Sequence, residues 1–349
     1  MGPLPMKKNI ELLLEKIRSG AQGRATAFVI GNTSDSFTKG RMYDIPIRET
    51  GELIYGGVIV RDVETAAKVA KLVDGKVHYL FVDDEKKVRK MHYGSDDVGN
   101  IEKGVRGVVK QSILLTYKGN DLAVEAVDTL LGSILGEVSG KKIAIIGMGN
   151  LGSKVALKLV ERGVQVSVFR RAQKRLHTIV AGLNAIKSED TLVVVRAARS
   201  VASACAGADV VIGTTNEKGV ITKAMLKGVA PGALLIDAGK GCFANEVTED
   251  PTHLVYRIDV SMLQKHIFFG LIQMNNHYAK RLGRKVFAES GVTLVSIGMF
   301  ARKGEVIVDD IDNPTAIIGI SAGDGTLEKR TPRLQKRIDE LTALITGVI

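Results

Sequence analysis

The chain has no tryptophan, two cysteines and seven prolines in 349 residues, and aromatic residues make up only 5% of it. Each scarcity excludes something. Cys205 and Cys242 form no CxxC pair and no Cys/His cluster, so neither a structural zinc nor a disulfide framework is encoded, and a reducing compartment is implied. No metal-ligand spacing is found elsewhere either. Few aromatics, no basic tail and no nucleic-acid-binding motif argue against a nucleic-acid partner. No apolar run approaches the ~20 residues needed to cross a bilayer. The opening Met1-Gly2-Pro3-Leu4-Pro5 lacks the basic and apolar regions of a secretion signal. The expectation is therefore no membrane partner and a cytoplasmic location.

What is present is ordinary globular composition, 45% hydrophobic and 25% charged, which excludes disorder, collagen-like repeats and a coiled-coil rod. At roughly 100–200 residues per domain, the length fits two domains. Lys and Arg total 49 against 38 Asp and Glu, a net charge of +11. That surplus suits either a soluble basic surface or attraction of an anionic small molecule or phosphorylated cofactor.

Apolar periodicity organises the chain. Met6 to Ser19 has Ile10, Leu13, Leu14 and Ile17 at helical spacing. Ala25 to Ile30, Leu53 to Val60 and His78 to Val82 read as strands, and Asp62 can cap a helix over 63–72. A long helix over Asp121 to Leu135, ended by Gly136, leads into the strand Lys142 to Ile146. From 141 to about 245 strands and helices alternate regularly, with further apolar runs at Thr191 to Val195, Asp209 to Ile212 and Ala233 to Ile236, as a parallel sheet covered on both faces requires. Beyond 255, Leu263 to Leu282 and Leu327 to Ile345 read as helices, and Val292 to Met299, Val306 to Val308 and Ala316 to Ile320 as strands.

The informative motif is Gly147-Met148-Gly149-Asn150-Leu151-Gly152. It follows one strand, opens a helix and precedes a second strand, Gln165 to Phe169. In that context Gly147 permits the tight turn, Gly149 lets backbone N–H groups approach a pyrophosphate, and Gly152 lets helix and strand pack closely. The second strand ends in Phe169-Arg170-Arg171, where an NAD site usually carries an acid. A guanidinium can hold a 2′-phosphate through forked, charge-assisted hydrogen bonds, so NADP is the expected cofactor. The competing reading of Arg170 and Arg171 is a solvated basic helix start. Two later strands end in Gly213-Thr214-Thr215 and Asp237-Ala238-Gly239-Lys240. There Thr214, Thr215, Asp237 and Gly239 could line the ligand crevice or simply turn the chain.

Over residues 119–245 this order of features resembles the two-domain shikimate dehydrogenases and their relatives, the methylene-tetrahydrofolate dehydrogenases and the amino-acid dehydrogenase-like Rossmann domains. The strand ends at Thr214-Thr215 and Asp237-Ala238-Gly239 are also similar to the NAD domain of S-adenosylhomocysteine hydrolase. In shikimate dehydrogenases an Asp at the start of the helix entering the Rossmann domain pairs with a Lys of the first domain at the reacting hydroxyl. Asn120-Asp121 is similar in place but differs in spacing, and the segment that supplies the Lys is absent, so shikimate is not the implied substrate.

Candidates for moving a proton are Asp121, which could equally cap the 122–135 helix, Lys110 before the apolar Ile113-Leu114-Leu115, and Lys240 between two glycines. The helix from Leu263 offers His266, Gln273, Asn275, Asn276 and His277. The polar segment Asn32 to Ser36 could hold a carboxylate or sugar hydroxyls, whereas Asp83-Asp84-Glu85 with Lys86-Lys87 reads as a dipole-matched helix start.

The expected fold is α/β, a doubly wound Rossmann domain plus an N-terminal α/β substrate domain. Its expected divisions are 1–120 (substrate and catalytic domain), 121–140 (connecting helix), 141–255 (NADP-binding domain) and 256–349 (a segment packing back across the cleft). The expected activity is an NADP-dependent oxidoreductase acting on a small, polar, anionic substrate, in an assembly that allows a homodimer. A hydrolase or lyase using a tightly held nicotinamide, and a non-catalytic NADP-binding protein, remain as alternatives.

Overall fold

The computed structural model describes residues 5–33, 42–85, 100–280, 282–288 and 290–346. It divides into two compact units, Met1–His266 and Ile267–Ile349. The first carries two separate sheets.

The first sheet is built from α1 (Met6–Ser19), β1 (Ala25–Asn32), β2 (Tyr43–Glu49), β3 (Leu53–Val60), α2 (Val63–Val73), β4 (Tyr79–Asp83), α3 (Ile101–Arg106) and β5 (Ile113–Tyr117). The apolar stripe of α1, Ile10, Leu13, Leu14 and Ile17, is buried on the sheet against residues such as Phe28 and Ile54. Asp62 caps α2 as its position suggests, accepting from the Thr65 N–H at 2.7 Å. The strand order is β2-β3-β1-β4-β5, with β3, β1, β4 and β5 parallel and β2 antiparallel at one edge. β2 is not legible as a strand because Pro46 interrupts it. Proline cannot donate to a ladder and is tolerated on an edge or at an irregularity, and the register shifts between Ile45 and Arg48. From β1 the chain steps to β3 on one side and then to β4 on the other. The sheet therefore has a topological switch at the C-terminal ends of β1 and β4, marked by Asn32 and Asp83.

The long helix α4 (Gly119–Leu135) starts two residues earlier than the periodicity suggests, and its N-cap is Lys118. Asp121 therefore does not cap it. The Asp121 side chain instead pairs with Lys154 of the next helix, α5 (Asn150–Glu161). Glu125–Lys158 at 2.6 Å, Asp128–Lys158 at 3.4 Å and Asp128–Arg162 continue the series, a ladder of ion pairs along the face where α4 meets α5. Exposed pairs of this kind contribute little, so Asp121→Asn is expected to lower the unfolding free energy by at most about 1 kcal/mol. Urea unfolding of the variant checks this, and a larger loss would mean that the ladder acts as one cooperative unit.

The second sheet comprises β6 (Lys142–Ile146), β7 (Gln165–Phe169), α6 (Gln173–Ile186), β8 (Arg196–Ala197), α7 (Val201–Cys205), β9 (Val210–Gly213), β10 (Leu234–Asp237), α8 (Asn245–Thr248) and β11 (Val255–Arg257), together with α5. All six strands are parallel, in the order β11-β10-β9-β6-β7-β8. Helices α4, α5 and α6 bury their apolar residues on one face, and α7 and α8 on the other. This is the double winding that near-continuous apolar strands demand.

One expectation fails here. The apolar run Thr191 to Val195 is not a strand, and Leu192 is 95% exposed. The Asn184 side chain on α6 donates to the Val195 carbonyl at 2.9 Å and accepts from its N–H at 2.8 Å, which takes the groups a ladder would use. Pairing begins only at Arg196.

The helix α9 (Ser261–Lys280) spans the boundary between the units. The second unit adds β12 (Arg284–Phe287), β13 (Val292–Ser296), β14 (Val306–Val308) and β15 (Ile317–Ile320) in that spatial order, covered by α10 (Pro332–Thr346) through Leu334, Ile338, Leu341 and Ile345. Among the described residues no helix is long and apolar enough to cross a membrane, and no group of His, Cys, Asp and Glu could hold a metal ion.

Candidate dinucleotide-binding site

The second sheet also has a switch point. From β6 the chain runs outward through β7 and β8, then returns to β9 on the other side of β6. The crevice at such a point lies between the C-terminal ends of β6 and β9. Gly147 follows β6 with φ of +110°, a conformation that L side chains rarely adopt. Its N–H donates to the Phe169 carbonyl at 2.9 Å, and its carbonyl accepts from the Thr214 hydroxyl, so the turn is tied to both flanking strand ends. A Cβ on Gly152 would run into the Gly147 carbonyl and the Thr214 hydroxyl, which explains the third glycine as a packing requirement. Gly149 is different. A Cβ there would meet nothing within 4 Å, so no protein atom accounts for the missing side chain. Open space in front of the N-terminus of a 12-residue helix suits a pyrophosphate.

That space belongs to a cavity of about 750 Å³ lined by Gly147, Gly149, Arg170, Arg171, Thr214 and Thr215 among others. Asn150, Leu151 and Gly152 form the first turn of α5 and do not line it. The cavity wall also includes Arg199, Ser200 and Glu217, which the sequence reading did not single out. Arg170 Nη1 donates to the Met148 carbonyl at 2.6 Å, inside the glycine turn itself. Arg171 is paired with Glu217 at an exposed position.

Asp237 and Gly239 do not line this cavity. The buried Asp237 carboxylate accepts from the N–H groups of Gly239 at 3.1 Å, Gly241 at 2.9 Å and Cys242 at 3.3 Å, shaping the loop that presents Lys240. A Cβ on Gly239 would collide with the Thr215 carbonyl. Burial and the neighbouring Asp237 push the Cys242 thiol up to about 12, which disfavours the thiolate at neutral pH.

The other candidates are scattered. Lys110 is exposed near the N-terminal end of β5, the opposite end from the switch point, and its backbone N–H donates to Asp74 at 2.8 Å. Asp121 sits in the ion-pair ladder and does not line the cavity. On α9, His266 closes the first unit, and Gln273, Asn275, Asn276 and His277 belong to the second. Ser34 to Ser36 and Lys86-Lys87 lie outside the described residues.

The structure does bring the first sheet's switch point next to the glycine turn. Asn120 Nδ2 lies 2.5 Å from Glu85 Oε1 and 3.5 Å from Asn150 Oδ1, bridging the end of β4 to the start of α5. Asp84, beside Glu85, is partly buried. That burial, with Asp83, Glu102 and Asp121 nearby, holds its carboxyl above the usual carboxylate range, while Lys118 opposes the shift. Tyr117, at the end of β5, is raised well above the ordinary phenol by burial and by Asp83.

Residues 142–250 match the family model of the NAD-binding domain of 6-phosphogluconate dehydrogenase. With the strand order β8-β7-β6-β9-β10-β11 and the glycine turn at its switch, the assignment follows. This is a Rossmann-type dinucleotide-binding domain. The chain is similar to several solved structures at low identity. Ornithine carbamoyltransferase from Gloeobacter violaceus is 15% identical over 71% of this chain and 87% of its own, with a TM-score of 0.41. CAD from Helicobacter pylori complexed with NADP(H) is 18% identical over 44% and 43%, with a TM-score of 0.32. Glutamyl-tRNA reductase from Methanopyrus kandleri is 20% identical over 45% and 39%, with a TM-score of 0.33. A search of curated proteins found no match.

Proposed function

We propose that the protein is an NADP-dependent oxidoreductase acting on a small polar substrate at a C=O/C–OH or C=N/C–NH group. The observation that carries this reading is the cavity over the Rossmann switch point. It combines an open approach at Gly149 with arginines, and no acid, at the ends of β7 and β8. An acid at the tip of β7 would hold a ribose hydroxyl and repel a 2′-phosphate, whereas guanidinium groups attract it. The bound dinucleotide supplies the hydride chemistry. The chain's own residues must bind, orient and move a proton.

For the proton we favour Asp84. It lies at the C-terminal edge of the first sheet, and the segment carrying it is joined to the glycine turn through Glu85, Asn120 and Asn150. Its partly buried carboxyl retains a proton to higher pH than an exposed one. Residues 1–120 would then be the substrate side and 121–140 the connector. The acids at this edge do not by themselves favour a negatively charged substrate. Lys240, on the loop after β10, is the alternative proton carrier from the nucleotide side.

Cofactor choice tests the reading first. Fluorescence titration should show NADPH bound at least about tenfold more tightly than NADH, the scale of one charge-assisted hydrogen bond. Equal or reversed affinities would overturn the NADP assignment. A screen of keto acids, imines and sugar-derived ketones with NADPH, followed at 340 nm, then identifies the substrate class.

A further inference from the structure

We infer that Arg199, rather than Arg170, is the residue that selects for the cofactor's 2′-phosphate, and that Arg170 is a positioning residue for the glycine turn. The inference rests on the NADP reading above. β7 and β8 pair Ser167 with Arg196 and Val168 with Ala197, and the Ala198 N–H still donates to the Val168 carbonyl at 2.8 Å. Arg199 leaves the ladder one residue later, and Arg170 leaves β7 two residues past Val168. The two arginines therefore emerge side by side from adjacent strand ends, which in a sheet lie roughly 4.8 Å apart. With Arg171, both line the cavity.

The three guanidinium groups differ in what already holds them. Arg170 is half-buried and spends Nη1 on the Met148 carbonyl at 2.6 Å, while its own carbonyl accepts from the Gln173 side chain at 2.8 Å. Only its remaining N–H groups could reach a phosphate without releasing the carbonyl inside the GMGNLG turn. Arg171 is paired with Glu217 at an exposed position, so a phosphate there would meet a carboxylate beside the guanidinium. Arg199 is exposed and forms no hydrogen bond or ion pair among the described residues. A phosphate dianion gains most from donors that have no anion to exchange. Ser200 beside it does not share the task. Its hydroxyl accepts from the Ser203 N–H at 3.1 Å and contacts the Ser203 hydroxyl at 3.1 Å, capping α7.

An exposed arginine at this position could instead stack on the adenine ring, which NAD and NADP share. The two roles predict different patterns. Titration of the full-length chain with NADPH and NADH, and with 2′,5′-ADP and 5′-ADP as adenosine-half probes, separates them. Arg199→Ala should weaken NADPH and 2′,5′-ADP by about 10- to 100-fold, with NADH and 5′-ADP changing less than about threefold. Arg170→Ala should weaken NADPH and NADH together and lower the melting temperature, and Arg170→Lys should restore part of both. Equal losses of both dinucleotides in Arg199→Ala would assign it to the adenine and overturn the inference. A wild type that prefers NADPH with an Arg199→Ala variant that keeps that preference also overturns it, while leaving the NADP reading in place. A wild type that prefers NADH overturns both.

Discussion

Gly149→Val is expected to abolish dinucleotide binding while the protein stays folded. A Cβ added at Gly149 meets no protein atom within 4 Å beyond its chain neighbours. Gly149 is the N-cap of α5 and has φ of −92°, which valine can adopt. Replacing glycine by a β-branched residue at an N-cap costs roughly 1 kcal/mol. The valine methyls would nevertheless occupy the approach to the helix N-terminus, where the backbone N–H groups must reach the pyrophosphate. Losing that approach should cost more than 100-fold in affinity, about 3 kcal/mol by the relation of tenfold to 1.4 kcal/mol. The matched control is Gly152→Ala, whose Cβ would strike the Gly147 carbonyl and the Thr214 hydroxyl. That variant should lose stability and binding together. Thermal melts paired with NADPH titration read both variants. If Gly149→Val binds NADPH as the wild type does, the turn is not the phosphate site.

The nucleotide half of this arrangement was legible in the sequence because its constraints are local. The strand Lys142–Ile146, the turn and the strand Gln165–Phe169 are specified within about thirty residues. What the sequence hid depends on partners distant in the chain. Arg199 was missed because the third strand was placed on the apolar Thr191 to Val195, where Asn184 takes both backbone groups of Val195. Once pairing starts at Arg196 instead, Arg199 stands at the strand end facing the cavity. Asp121 suggested a cap because Asp is common there, but α4 starts earlier and the carboxylate finds Lys154, 33 residues away. Asp237 was read as lining the ligand crevice or turning the chain, and its carboxylate accepts from three backbone N–H groups of its own loop. Asp84 read as part of an acidic helix start. Only the fold shows it partly buried, beside a segment that Asn120 ties to the dinucleotide turn.

Asp84→Asn and Lys240→Met together decide where the proton travels. A group that donates or accepts a proton in the transition state contributes about 10²–10⁴-fold, so the variant of the true carrier should lose that much in single-turnover hydride transfer at saturating NADPH. pH then tests whether the carboxyl is the carrier. Burial and neighbouring carboxylates raise the Asp84 carboxyl above its ordinary value. In the direction of reduction the acid must be protonated, so a rate carried by Asp84 falls as pH rises through that raised value. In the direction of oxidation the carboxylate must be ionised, and the rate rises through the same value. Asp84→Asn should remove this acidic limb in both directions while leaving NADPH affinity intact, because the residue lies on the first sheet and does not line the dinucleotide cavity. Loss of rate in Lys240→Met with an unchanged Asp84→Asn profile would move the chemistry to the loop after β10. In that case Asp237→Ala should impair turnover too, by releasing the three N–H groups that fix that loop.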